Sequence, residues 1–105
     1  MITAGEGKYK VWLRKQVLDK GLVLMLGGGE SSHIGGAAYV TADGEEDVME
    51  VKGHHDLEVL LPIARAASKK YGLPVLAVGG IHVDNASKEE IELLVENCKE
   101  LSKCI

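Results

Sequence analysis

The chain is poor in rings and in rigid or cross-linking residues. It has no phenylalanine, one tryptophan, three tyrosines, two prolines and two cysteines among 105 residues. With aromatics at 4%, Val, Leu, Ile and Ala must fill the core. The cysteines, Cys98 and Cys104, lack CxxC spacing, which argues against a redox or zinc pair. On a helix they would fall on roughly opposite faces, Cys98 toward a core and Cys104 at an exposed end. The longest apolar run, Gly21 to Gly29, is far short of the roughly 18 residues of a membrane span. The first residues lack the basic and apolar regions of a signal peptide, so a cytoplasmic location is expected. A net charge of -4 argues against nucleic acid as a partner. That charge is uneven: Met1 to Leu26 carries five basic and two acidic residues, a mildly basic start to an acidic chain.

What is present suits one small globular domain, at 46% hydrophobic and 27% charged. Residues 1–7 read as a flexible tail and 8–105 as a single α+β ligand-binding domain. Lys8 to Gln16 alternates with period two, Asp19-Lys20-Gly21 is a turn, and Leu22 to Leu26 is an apolar strand, together a hairpin. His33 to Thr41 and Asp47 to Lys52 continue as strands. Leu57 to Tyr71 has helical spacing, with Pro62 predicting a true start near Leu60. Gly72 stops that helix, and Pro74 to Gly79 is a buried strand. Ser87 and Glu90 form a capping box before a last helix marked by Ile91, Leu94, Val95, Cys98 and Leu101. The order β-β-β-β-α-β-α predicts an α+β two-layer sandwich, with a mostly antiparallel five-stranded sheet and two helices on one face. The crossover through the first helix predicts a parallel pair between the strands on either side of it. One open sheet face predicts a homo-oligomer.

All four histidines lie at element ends beside glycine. They occur in Ser32-His33-Ile34-Gly35, Gly53-His54-His55 and Gly79-Gly80-Ile81-His82. Glycine lets a ligand approach the main chain, so this threefold recurrence predicts segments that converge on one site. A metal could be held by these imidazoles with Asp56 or Asp84, though neither HxH nor HExxH spacing occurs. A phosphate-bearing ligand could use the Gly27 to Ser32 loop or the helix start near Asn85 and Ser87, although no Walker or Rossmann pattern is present. Acid–base chemistry by His33, His54 or His82 is a third option, with Asp56 or Asp84 as orienting partner. No nucleophile stands out.

Three stretches together carry a resemblance: Gly28-Gly29-Glu30-Ser31-Ser32-His33-Ile34-Gly35, then Gly53-His54-His55-Asp56, then Gly80-Ile81-His82-Val83-Asp84-Asn85 running into Glu89-Glu90-Ile91. The pattern resembles the LpdD-like prenylated-flavin chaperones, small proteins associated with UbiD-type decarboxylases, over roughly Leu22 to Leu101. The resemblance implies a non-enzymatic protein. It would bind prenylated FMN, its precursor or FMN as cargo, and deliver it to, or mature it for, a UbiD-type (de)carboxylase. It implies cofactor contacts at Gly29, Ser32, His33 and Gly35, at Gly53, His54 and His55, and at His82, Asp84 and Asn85. It implies no catalytic residue and no metal ligand. One departure stands out: His55 occupies a position where the family pattern predicts Lys or Arg, which removes a permanent cation from the phosphate. Two other readings remain open: a small metal- or histidine-dependent enzyme, and a ligand-free structural subunit of a decarboxylase complex.

Overall fold

The computed structural model describes residues 1–105. Six strands form one sheet: β1 (Ile2–Ala4), β2 (Val11–Leu18), β3 (Gly21–Gly28), β4 (Ser31–Val40), β5 (Glu46–Glu50) and β6 (Val75–His82). The helices are α1 (Leu57–Tyr71) and α2 (Lys88–Lys103), and Gly7–Tyr9 makes one 3₁₀ turn. No helix is long and apolar enough to cross a membrane. The α+β class, the mostly antiparallel sheet and the two helices are as the sequence predicts. The count of five strands is not: β1 is a sixth, antiparallel to β2 through Ile2–Leu13 and Ala4–Val11. Three residues are too few to carry a readable alternation.

The sheet order is β1-β2-β3-β6-β4-β5, with β6 parallel to β3 and antiparallel to β4. The crossover from β5 through α1 therefore skips β4, and the one parallel pair is β3–β6 rather than β5–β6. Composition explains the choice. The β6 segment, VLAVGGIH, is apolar toward both faces and belongs at the sheet centre, whereas β5, EDVME, is exposed throughout and forms an edge.

Both helices cover one face. Leu60, Ile63, Ala64 and Ala67 of α1 and Cys98 and Leu101 of α2 pack on Val11, Leu13, Leu22, Leu24, Leu26, Ala38, Val40, Val75 and Ala77. Pro62 lies inside α1 rather than at its start, because Glu58, Val59 and Leu60 already donate to the carbonyls of His55 and Asp56 and begin the helix a turn earlier. The opposite face carries Met25, Tyr39 and Met49, all exposed.

The capping box at α2 forms as predicted: Glu90 N–H donates to Ser87 Oγ at 3.1 Å, and Ser87 N–H to Glu90 Oε1 at 2.9 Å. Tyr9 Oη also donates to Glu90 Oε2 at 2.6 Å, and Lys8 Nζ lies 3.2 Å from it. These partners, the Ser87 N–H first and then Tyr9 and Lys8, lower the Glu90 carboxyl from its ordinary 4.5 to about 2. A depressed folded-state value stabilises above the ordinary value and is lost as pH falls through the folded one. The stability advantage of wild type over Glu90→Gln is therefore expected to hold above pH 4.5 and to shrink between there and about 2. Denaturant unfolding across that window checks it.

Candidate functional site

The C-terminal end of parallel β3 and β6 is where open sheets place ligand sites, because the chain leaves the sheet in diverging directions there. Three segments meet at this end. In β4 the register with β6 shifts between Ser32 and Gly36, and His33 lies in that irregular stretch. Such a bulge re-aims a side chain that regular pleating would send elsewhere. The turn Gly53-His54-His55-Asp56 enters α1, and Ile81-His82-Val83 leaves β6 toward α2.

Asp56 joins them. It is the N-cap of α1, but its carboxylate caps nothing. Instead Oδ1 accepts from the Ile81 N–H at 2.9 Å, and Oδ2 accepts from His33 Nε2 at 2.7 Å. The His54 Nδ1 lies 4.0 Å from the same oxygen. The helix N-terminus favours the negative charge, and burial restricts it, with Asp56 only 8% exposed. The His33 and His54 rings meet edge to face at 4.5 Å between centroids, and His82 lies 6.0 Å from His33. His82 Nε2 donates in turn to Asp84 Oδ1 at 2.7 Å.

Glycines make room for this cluster. A Cβ on Gly35 would lie 1.8 Å from Asp56 Oδ2, and one on Gly80 would lie 2.6 Å from both that oxygen and His33 Nε2. The Gly-Gly steps of β4 and β6 thus leave space for a neighbouring carboxylate and imidazole.

The histidines rim a cavity of about 430 Å³ between the start of α1, the end of β6 and α2. Its wall is Val59, Ile81, Val83, Ala86, Ile91, Leu94, Val95 and Cys98, and its mouth is His33, His54, His55 and His82, with Gly53. That volume is ordinary for a small-molecule site, and so is the mixture of apolar wall and few polar groups. No lysine or arginine lines it, and its carboxylates are Asp56 and Glu58. Burial, followed by the Asp56 charge, pushes the Cys98 thiol up to about 12. Cys98 is therefore a protonated wall residue rather than a nucleophile.

Of the residues predicted from sequence, His33, Gly53, His54, His55 and His82 line the cavity. Gly35 sits behind Asp56. Gly29 lies against the His82 carbonyl, and Asp84 is tied to the His82 ring. Ser32 and Asn85 are exposed and outside the lining. Ser32 Oγ accepts from the Gly28 N–H at 3.0 Å. The glycine loop cannot cradle a phosphate as arranged, since the N–H groups of Gly28, Gly29 and Glu30 already donate to Ser32 Oγ, the Lys10 carbonyl and the His82 carbonyl. At the start of α2 the capping box engages the N–H groups of Ser87 and Glu90. The sequence offered Asp56 as a metal ligand or orienting partner, without marking it as the residue that joins the three segments, and gave no role to Gly80. The signal for both was the Asp directly after Gly-His-His, at a helix start, together with paired glycines in two strands.

A small α+β domain with one histidine-rimmed, apolar-walled cavity is thus the class that the fold and site define. The family model for the prenylated flavin chaperone LpdD-like domain matches residues 5–105, and the chain belongs to that family. A search of curated proteins finds no match.

Proposed function

We propose that this chain binds prenylated FMN, or its precursor, in the histidine-rimmed cavity and delivers it to, or matures it for, a UbiD-type (de)carboxylase. The observation that carries this reading is the cavity itself. An isoalloxazine needs an apolar slot with few polar groups at its edge, and Ile81, Val83, Leu94 and Val95 facing His33, His54 and His82 supply one. The contacts proposed are those three imidazoles with Gly53 and His55, while Gly35 and Asp56 hold His33 in place. None of the four Trp and Tyr rings lines the cavity, so the imidazoles are the rings available to a flavin. The protein acts as a carrier rather than a catalyst in this reading. It would work where a decarboxylase is made, which places it in the cytoplasm.

Anaerobic titration with prenylated FMN and with FMN, read by fluorescence quenching, tests the reading. Saturable binding to wild type is expected, weakened by about tenfold or more in both His33→Ala and His82→Ala, the loss of one charge-assisted or neutral contact each. Equal binding by wild type and both variants, or none by wild type, contradicts it. Transfer is tested by whether the loaded protein activates an apo-decarboxylase faster than free cofactor does.

We propose further that the chain forms a homo-oligomer through its open sheet face. Arg14, Met25, Val78, Ala37 and Met49 form one cross-strand row there, with Asp47 beside it on β5. A face-to-face pair with β2 over the partner's β5 would bury the methionines and bring Arg14 to Asp47. Met25→Lys is expected to shift the mass measured by light scattering to that of a single chain.

A further inference from the structure

We propose that His33, His54 and Asp56 bind a first-row divalent cation, and that this cation receives the phosphate of the ligand. The second clause rests on the function proposed above; the first does not.

Three ligand atoms, His33 Nε2, His54 Nδ1 and Asp56 Oδ2, lie within 4.8 Å of one another. Bonds of about 2.0–2.1 Å to a tetrahedral ion set its ligand atoms roughly 3.3 Å apart. The observed 2.7 Å and 4.0 Å to Asp56 Oδ2 bracket that spacing. The His33–Asp56 contact must open, and the His54 contact close, each by about half an ångström. The third spacing, between the two imidazole nitrogens, is at most 4.8 Å and closes with them.

The carboxylate is braced as ligands at metal centres are. Its second oxygen is held by the Ile81 N–H at 2.9 Å, and Gly35 and Gly80 leave it just enough room. Two imidazoles and one carboxylate suit Zn²⁺ or Fe²⁺ rather than Mg²⁺ or Ca²⁺, and three protein ligands leave a coordination position free. All three groups line the cavity, and the free position is assigned to it. Ligation through Nε2 replaces the His33 hydrogen bond to Asp56 and leaves the ring proton on Nδ1.

Charge gives the ion a role. A phosphorylated ligand brings about two negative charges at neutral pH, and the carboxylates that line the cavity add to them. No Lys or Arg opposes them there, His55 stands where a cation is expected, and the N–H groups of Gly28, Gly29 and Glu30 are engaged elsewhere. A divalent ion held at the mouth supplies the missing positive charge.

The test begins with protein treated with EDTA and dialysed. Co²⁺ is added and followed by visible absorption and native mass spectrometry, and Zn²⁺ is then added in competition. One ion per chain is expected, with displacement of cobalt by zinc. His54→Ala and Asp56→Asn should weaken binding by more than the roughly 10–100-fold that loss of a second-shell partner costs. His54 is half-exposed, so its variant guards against a folding defect in the other. No stoichiometric ion in wild type, or unchanged affinity in both variants, overturns the site. FMN and riboflavin are then titrated with and without Zn²⁺. Tightening of FMN alone supports the phosphate role, and equal response of both overturns it. FMN binding of equal strength with and without metal leaves the carrier function intact and overturns the phosphate role, while the cation site stands or falls on the cobalt and zinc titration.

Discussion

Gly79→Ala is expected to destabilise the protein more than any other single-methyl addition. Gly79 sits at the centre of the sheet with φ +123, a region closed to residues with a Cβ. An added Cβ would lie 2.0 Å from the Leu26 carbonyl oxygen, and that neighbour is backbone of β3, paired in register with Gly79. Neither strand can yield without breaking the one parallel ladder. Backbone strain of about 1–3 kcal/mol and overpacking of about 1–3 kcal/mol add, for a loss of roughly 3 kcal/mol or more. Gly44→Ala is the control. Its φ of +91 also disfavours a side chain, but nothing lies within 4 Å. It is expected to lose the strain alone. Chemical denaturation of the two variants beside wild type separates them, and equal losses would mean that contact with β3 contributes nothing.

Gly35→Ala is expected to disable the site while leaving the sheet assembled. Here the backbone tolerates a side chain, and the obstacle is Asp56 Oδ2 at 1.8 Å. To clear the methyl, the carboxylate must leave both His33 and the Ile81 N–H. Charge-assisted bonds are worth about 1.5–3 kcal/mol each, so stability should fall by about 2 kcal/mol or more. Flavin affinity should fall by at least about tenfold as His33 loses its anchor. Unfolding and flavin titration on the same preparation check both. A variant that binds as wild type does would show that Asp56 does not orient the site.

These two glycines also mark where sequence reading stops. Period-two alternation over Lys8 to Gln16, the apolar 22–26 run and the helical spacing of 57–71 and 88–101 were enough to place the hairpin and both helices, because each pattern spans several residues on one buried face. The capping box at Ser87 and Glu90 was legible for the same local reason. Strand order was not. The apolar VLAVGGIH marks a buried, central strand but does not name its neighbours; its insertion between β3 and β4 is seen only in the assembled sheet. At the site, the recurrence of His beside Gly pointed to convergence of three segments, and His33, His54 and His82 do share one cavity mouth. The sequence offered Asp56 as one of two carboxylates that could partner a histidine; that it leaves the start of α1 uncapped to accept from Ile81 as well as His33 is seen only in the fold. The glycine loop misled in the opposite direction. Its N–H groups looked free in the sequence, yet the folded chain engages them with Lys10, Ser32 and His82, groups distant in sequence or hidden in a bulge.

Two surfaces compete to receive a flavin: the histidine-rimmed cavity and the open sheet face with its lone Trp12. NMR of protein carrying labelled histidine rings and methyl groups, titrated anaerobically with prenylated FMN, decides between them. The account predicts that the imidazole signals of His33, His54 and His82 move with the methyls of Ile81, Leu94 and Val95, while Met25 and Met49 stay in place. Shifts confined to Met25, Met49 and the Trp12 indole, with the histidines unmoved, would contradict it.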